Sequence, residues 1–281
     1  MIFVYKTWEK FCKKLSENKI HSIRICDCFN QQQIGFLSLK HDVETNVERA
    51  FRLAQIENKY GHKGTYYVQA YLMDDSANIE MLKKMQKMGH EISYHYDVMD
   101  SNKGNIDNAI VEFEKNIKKF EDNGFAIHTL CQHGNPVVER IGYHSNRDFF
   151  RSEKVQKKYP NMCDVMVDLK IKSGKEYDYY SDAGRKFKFI FDPINNDIVN
   201  SDDKNVSYKD LEALFEAITR SPNNCIISTH PHRWTASKVV YIFKSAVFKI
   251  IKSVAKLLIK IPFMKKFMSK YYYLAKKYKE G

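Results

Sequence analysis

Apolar residues in this chain fall into two kinds of segment, which alternate six to eight times. Short, nearly continuous apolar runs are followed by longer stretches in which apolar positions recur every three or four residues. The runs are typical of strands buried on both faces, and the longer stretches are typical of helices that cover a sheet. This alternation predicts an α/β fold with parallel strands covered by helices, either a barrel or an open sheet.

The predicted strands are short and end in polar side chains. Their segments are FLSLKHDVE (36–44), GTYYVQAY (64–71), HEISYH (90–95), FAIHTLCQ (125–132), MCDVMVDLKI (162–171), FKFIFDP (187–193) and NNCIISTHPHRW (223–234). Helices are predicted over about residues 7–17, 45–60, 77–88, 106–123 and from 207 onward. Thr45 and Glu48 form a capping-box pattern, which predicts the start of the second helix.

Length and composition predict one large α/β domain, or one domain with an appendage. The chain has 281 residues, of which 43% are hydrophobic and 14% aromatic, enough to bury a sizeable core. The six cysteines show no CxxC spacing, so we expect buried thiols in a reducing compartment. Lys6, Glu9 and Lys10 interrupt the apolar N-terminus, so no signal peptide is predicted and a cytoplasmic protein is expected.

The formal charge of +12 is concentrated in the last part of the chain. Residues 236–281 contain 12 lysines and a single acid, Glu280, so this segment carries +11 and the rest of the chain +1. Between Val239 and Ile261 lysines interrupt the apolar residues every three to five positions, which argues against a membrane-spanning helix. The pattern predicts an amphipathic helix on an anionic membrane surface, with a helix packed on the barrel as the alternative. Charge confined to a tail argues against nucleic-acid binding.

Four predicted strands end in a histidine or a histidine–aspartate pair. These are His41 with Asp42, His95, His133 and His230. Strand ends converge at the mouth of an α/β barrel, where enzymes of this architecture hold their active sites. Imidazoles and carboxylates suit Zn²⁺ or another divalent first-row ion, which would support amide or ester hydrolysis. The chain contains no GxGxxG or GxxxxGK phosphate loop, which argues against nucleotide chemistry.

Six motifs, in this order, resemble those of the polysaccharide deacetylases, also called the NodB-like group or carbohydrate esterase family 4. They are LKHDVE, AFRLAQIENKYGHKGTYYV, GHEISYHYD, QHGNP, YYSDAG and THPHRW. The first resembles the RHDVD-type motif of a bacterial glycan-biosynthesis branch. The resemblance spans about residues 36–234. It implies a distorted (β/α)7 barrel and metal-dependent removal of acetyl groups from N-acetylated amino sugars.

The resemblance assigns a catalytic base and a metal carboxylate to the first motif. Two assignments stay open: Asp42 as base with Glu44 as ligand, or Asp42 as ligand with His41 at the base position. His95 matches the first histidine of the family's HxxxH ligand pair. The second falls on Met99, which cannot replace a histidine for a hard divalent ion, and His133 is the candidate replacement.

The remaining roles also come from the resemblance. Asp182 corresponds to the acid that orients the base, and His230 to the acid that protonates the leaving amine. His41, His232 and Trp234 are expected to line the substrate pocket.

We therefore expect three regions: an N-terminal helix and approach segment (1–33), a deacetylase-like barrel (34–235) and a basic amphipathic tail (236–281). The expected activity is zinc-dependent deacetylation of an N-acetylated sugar for surface-glycan biosynthesis, on a lipid- or nucleotide-linked precursor, by a peripheral protein at the inner face of the membrane. Two alternatives remain, a metal-dependent hydrolase of another amide or ester and an inactive glycan-binding barrel.

Overall fold

A single sheet of nine strands lies at the centre of the part of the chain that the computed structural model describes, residues 2–30, 35–135, 138–194 and 206–259. The strands are β1 (Ser22–Ile23), β2 (Leu37–Val43), β3 (Gly64–Val68), β4 (Glu91–Tyr96), β5 (Thr129–Gln132), β6 (Cys163–Asp164), β7 (Tyr177–Ser181), β8 (Lys188–Ile190) and β9 (Asn224–Thr229). Their order is β6-β5-β4-β3-β2-β9-β7-β8, with β1 beside β2.

Helices cover this sheet. They are α1 (Tyr5–Glu17), α2 (Val47–Lys59), α3 (Ser76–Lys87), α4 (Val98–Ser101), α5 (Ile106–Glu121), α6 (Asp148–Arg151), α7 (Glu153–Lys158), α8 (Leu169–Ser173), α9 (Leu211–Arg220) and α10 (Lys238–Ile259). The predicted helices are present, but residues 162–171 form only the two-residue strand β6, followed by turns and α8.

The sheet curls into a half-barrel. Its paired strands are parallel except for β7 and β8, which are antiparallel. Within the described ranges no ladder joins β6 to β8, the two ends of the strand order, so a closed (β/α)7 barrel is not confirmed. The carboxyl ends of the parallel strands lie at one edge, which is the position that α/β proteins use for ligands.

The central strand β2 lies within the predicted segment 36–44, and all seven of its residues are buried. Leu37 and Leu39 pack in the core under α1 and α9. Since side chains alternate along a strand, Lys40 and Asp42 point to the opposite face, the interior of the half-barrel.

The beginning of α2 corrects the predicted cap. The side chain of Asn46, not Thr45, accepts a hydrogen bond from the backbone N–H of Arg49 at 2.9 Å. The strand before it extends to Val43, so the turn and the first helical residue come later than the pattern of Thr45 and Glu48 predicted.

The two terminal segments of the described chain pack against each other. In α1, Trp8, Phe11 and Leu15 are buried in the same cluster as the central strand, so the N-terminal helix belongs to the core. Tyr241 of α10 contacts Phe3, with ring centroids 6.0 Å apart. Within the residues described, no helix is both long and apolar enough to span a membrane. Residues 260–281, the second half of the predicted tail, lie outside the described residues.

Candidate active site

The ends of neighbouring strands bring a set of carboxylates and imidazoles together at the mouth of the half-barrel. Asp42 lies near the end of β2 and Glu44 directly follows it, while His95 is on β4, His133 follows β5 and His230 follows β9. In the sheet these strands lie side by side, apart from β3 between β2 and β4. The predicted convergence of strand-end side chains is therefore present.

Glu44 lies at the centre of this set. Its Oε1 is 3.4 Å from His133 Nε2 and 3.6 Å from His230 Nε2, and its Oε2 is 3.6 Å from His232 Nδ1. Burial raises the pKa of Glu44, but the three imidazoles outweigh burial and hold this pKa well below its ordinary value. Glu44 is therefore an ionised carboxylate surrounded by nitrogen ligands.

Two overlapping groups of side chains could hold a metal ion. Glu44, His95 and His133 offer ligand atoms within 4.8 Å of one another, and so do Asp42, His95 and Cys131. Two ligands of a tetrahedral ion with bonds of about 2.0–2.2 Å lie about 3.3–3.6 Å apart. The 3.4 Å between Glu44 and His133 matches that spacing, and His95 offers a ligand atom within 4.8 Å of both.

His95 is preorganised as a metal ligand. Its Nδ1 is 3.0 Å from the carbonyl oxygen of Cys131 and donates to it, which leaves the lone pair of Nε2 free. Burial lowers the pKa of His95 to about 4, so the ring is neutral, as a ligand must be. Met99, at the position of the family's second histidine, is buried in the apolar core and takes no part.

A buried polar cluster that the sequence analysis missed holds the loop of His133. The peptide N–H of His133 donates to the carbonyl of Tyr96 at 2.7 Å, and Asn146 Nδ2 donates to the carbonyl of His133 at 2.8 Å. Asn146 is bound in turn to the fully buried Asp100, which also accepts two hydrogen bonds from Arg140. This cluster fixes the loop that carries His133, as hydrogen-bonded groups behind the ligands do in metal sites.

Lys40 is a second group that the sequence analysis missed. Its ammonium lies 2.5 and 2.7 Å from the two carboxylate oxygens of Asp42. Burial opposes both charges, but Lys40, His95 and His230 lower the pKa of Asp42, which is thus ionised. The alternation along β2 was the signal, since opposite charges two residues apart share one face of a strand.

Asp182 contacts His230, and this corrects its predicted partner. His230 Nδ1 lies 2.6 Å from Asp182 Oδ1, which also accepts from Arg233 at 2.6 Å, and Oδ2 accepts from Thr229 Oγ1 at 2.6 Å. Burial raises the pKa of Asp182, but Arg233 and His230 hold it well below its ordinary value. Asp182 therefore orients the expected acid His230, whereas Lys40 orients Asp42.

Two of the three expected pocket residues face away from the mouth. His41 is fully buried on the helix side of β2, where it stacks on Tyr66 with centroids 4.2 Å apart and Nε2 lies 2.9 Å from Glu57 Oε1. Because Lys40 and Asp42 occupy the interior face, His41 can neither line the pocket nor act as base. Trp234 is also fully buried and donates to Thr229 Oγ1 at 2.8 Å. His232, with 27% of its side chain exposed, remains at the mouth.

Comparisons with known proteins find a distant likeness in structure. No family model matches the chain, and no curated protein matches it. The catalytic domain of a peptidoglycan N-acetylglucosamine deacetylase from Eubacterium rectale is similar at 12% sequence identity and a TM-score of 0.45. The likeness covers 79% of this chain and 84% of that domain.

Proposed function

We propose that this protein is a metal-dependent hydrolase that removes an acetyl group from an N-acetylated sugar. The observation that carries the proposal is that Glu44, His95 and His133 offer ligand atoms within 4.8 Å of one another beside an ionised Asp42 and an Asp182–His230 pair. Metal-dependent amide hydrolysis uses a Lewis acid, a base and an acid around one space. The sequence motifs supply the sugar as the substrate class.

Glu44, His95 and His133 would hold the ion, probed best as Zn²⁺. A bound divalent ion would polarise the acetyl carbonyl and lower the pKa of a water molecule to about 7. Asp42 accepts a proton from the attacking water, whose oxygen adds to the carbonyl carbon. His230 Nε2 donates a proton to the amide nitrogen as the carbon–nitrogen bond breaks, which releases acetate and a free amine.

The positions of Asp42 and His230 suit these opposite roles. Asp42 Oδ2 and His230 Nε2 are 3.9 Å apart, so the base and the acid border the same space. Asp182 Oδ1 accepts a hydrogen bond from Nδ1 of His230, which leaves Nε2 directed at the mouth. Of the expected pocket residues, His232 is the one placed to contact the sugar, because it lies at the exposed rim beside Glu44.

The basic tail is proposed to bring the enzyme to an anionic membrane surface, where lipid-linked or nucleotide-linked glycan precursors are made. In the described part of α10, Val239, Ile242, Phe243 and Ile250 are between 55% and 75% exposed. Lysines alternate with these apolar residues in the sequence. An exposed apolar face flanked by lysines matches a helix that lies in the interface of an anionic bilayer.

Metal content and acetate release test the catalytic proposal. The purified full-length protein, loaded with Zn²⁺, should bind one equivalent and release acetate from at least one of a panel of N-acetyl sugars. Glu44→Gln should lose both properties, because the amide cannot supply the anionic ligand. Glu48→Gln, the same change at an exposed position four residues later, is the matched control and should keep both.

The outcome separates the proposal from its alternatives. Bound metal without acetate release from any N-acetyl sugar would favour a hydrolase of another amide or ester. A folded protein that binds no divalent ion would contradict both enzymatic functions and favour a glycan-binding barrel.

A further inference from the structure

We propose that Lys40 keeps Asp42 out of the ligand set of the metal, so that Asp42 does not bind the ion and acts as the base. This role rests on the proposed function, in which Glu44, His95 and His133 bind the ion. It makes Lys40 a positioning residue, because its ammonium acts on the reaction only through Asp42.

The surroundings of Lys40 show why it is bound to Asp42. Its side chain is 1% exposed, and its Nζ lies 2.5 and 2.7 Å from the two oxygens of Asp42. Neutral groups also surround the ammonium, among them Ser228 Oγ at 3.3 Å and the face of the Tyr67 ring, with the centroid at 5.5 Å. A buried ammonium requires a compensating charge, and Asp42 supplies it.

The two carboxylates of the first motif have different neighbours. Asp42 has an ammonium in direct contact with both oxygens, whereas Glu44 faces imidazole nitrogens at 3.4–3.6 Å. A metal ion bound to Asp42 at about 2.0–2.2 Å would come within about 5 Å of the Lys40 ammonium, and the two cations would repel each other. An ion bound to Glu44 shares its carboxylate with no lysine among the described residues.

The sheet itself fixes this arrangement. Lys40 and Asp42 are two residues apart on β2 and therefore share the interior face. Lys40 is paired in register with Ser228 of β9, whose hydroxyl contacts the ammonium. Contacts from both β2 and β9 therefore hold the lysine in place. Its ammonium cannot move away from Asp42 without losing the contacts that compensate its buried charge.

Binding of Co²⁺ tests this role, because the visible spectrum of the ion reports its ligand set independently of turnover. The unaltered full-length protein and the Asp42→Asn variant should give the same Co²⁺ spectrum. In Lys40→Met the released carboxylate should join the ion and change the spectrum. The double variant, with both substitutions, should return to the original spectrum, and Lys40→Arg should retain it.

Each result supports or overturns the role of Lys40. A changed spectrum or lost Co²⁺ binding in Asp42→Asn would make Asp42 a ligand, and an unchanged spectrum in Lys40→Met would show that the lysine excludes nothing. If Lys40→Met fails to fold by circular dichroism, Lys40→Gln, which also removes the ammonium, takes its place in the same comparison. Failure of the unaltered protein to bind Co²⁺ would overturn the proposed function as well, whereas loss restricted to Asp42→Asn would overturn only the role of Lys40.

Discussion

Substitution of His230 distinguishes a role as general acid from a role as metal ligand. Its Nε2 is 3.6 Å from Glu44 Oε1, a distance that a ligand would also show. As a general acid it should contribute about 10²–10⁴-fold to the rate. We expect His230→Asn to lose acetate release by that factor and to keep its full content of metal, measured on the same preparation.

The control for this substitution is His144→Asn, since 83% of the His144 side chain is exposed and its partner Asp148 lies outside the site. Loss of metal in His230→Asn would make His230 a ligand. Unchanged turnover would remove it from the reaction.

At the residue scale, the sequence predicted which side chains converge at the mouth. It predicted less well the strand face on which each side chain lies. The period of two places Asp42 and Lys40 together and His41 opposite, but β2 is buried on both faces. A strand without a polar face carries no mark of which side is the interior. For that reason His41 was predicted at the mouth. Its partner Glu57 lies on α2, and sequence spacing could not predict this contact.

At the scale of elements, Glu57 links α1, α2 and the sheet behind the candidate site. This fully buried carboxylate accepts hydrogen bonds from Trp8 Nε1 at 3.0 Å and Tyr66 OH at 2.8 Å. Burial raises its pKa, but His41 and the other donors outweigh that effect and lower the pKa, so the group is charged. The network therefore couples α1 to the strand that bears Asp42.

Removal of the Trp8 donor should be costly because its acceptor is charged. Trp8→Phe should lower the free energy of unfolding by about 1.5–3 kcal/mol through the hydrogen bond alone. Trp234→Phe is the matched control, since it removes the same donor from a neutral acceptor, Thr229 Oγ1, and should lose about 0.5–1.5 kcal/mol. Urea unfolding followed by circular dichroism measures both, and equal losses would contradict a charged Glu57.

The element boundaries show which local signals are reliable. The apolar stripe of α5 predicted its start at Ile106, and the structure agrees, with Asn105 as the cap. The start of α2 was predicted wrongly, because Thr45 and Asn46 are both capping residue types and the exit of β2 decides between them. The tertiary pairing of β2 decides where that strand ends, and no local pattern contains this information.

At the scale of the whole molecule, residues 236–281 differ from the rest of the chain because they carry nearly all of its net charge. We expect the full-length protein to co-sediment with anionic vesicles more strongly than with neutral ones. Each lysine near an anionic surface contributes about 1 kcal/mol, and added salt should weaken this part because it shortens the Debye length. Burial of the exposed apolar residues adds a part that salt does not remove.

A truncation tests the same surface. The chain should end after Lys244, because Tyr241 packs on Phe3 and belongs to the core. This variant should stay folded, keep its metal and bind anionic vesicles much more weakly, because it lacks Ile250 and ten of the twelve lysines of residues 236–281. Unfolding of the variant would show that the tail is structural packing, and undiminished vesicle binding would contradict a membrane surface on the tail.

The sequence predicted the α/β class and the edge of the sheet that bears the chemistry, because both follow from periodicity and strand ends. It could not predict that β9 lies beside β2 or that β8 is antiparallel. Neighbours of that kind depend on pairing between distant segments, and hydrophobic patterns along the chain do not record which strands meet. The distorted (β/α)7 barrel that the resemblance implies is not confirmed, since no ladder joins β6 to β8 among the described residues.

The pairing of β2 with β9 has a consequence for how the protein is made. Lys40 and Ser228, which meet in that pairing, are 188 positions apart. At a synthesis rate of about 5–20 residues per second, roughly 10–40 s separate the appearance of the two strands. During that interval one edge of a fully buried strand lacks its partner, and topologies with such distant contacts fold slowly. Until the last strand is available, that unpaired edge of β2 is a site at which nascent chains can pair with one another.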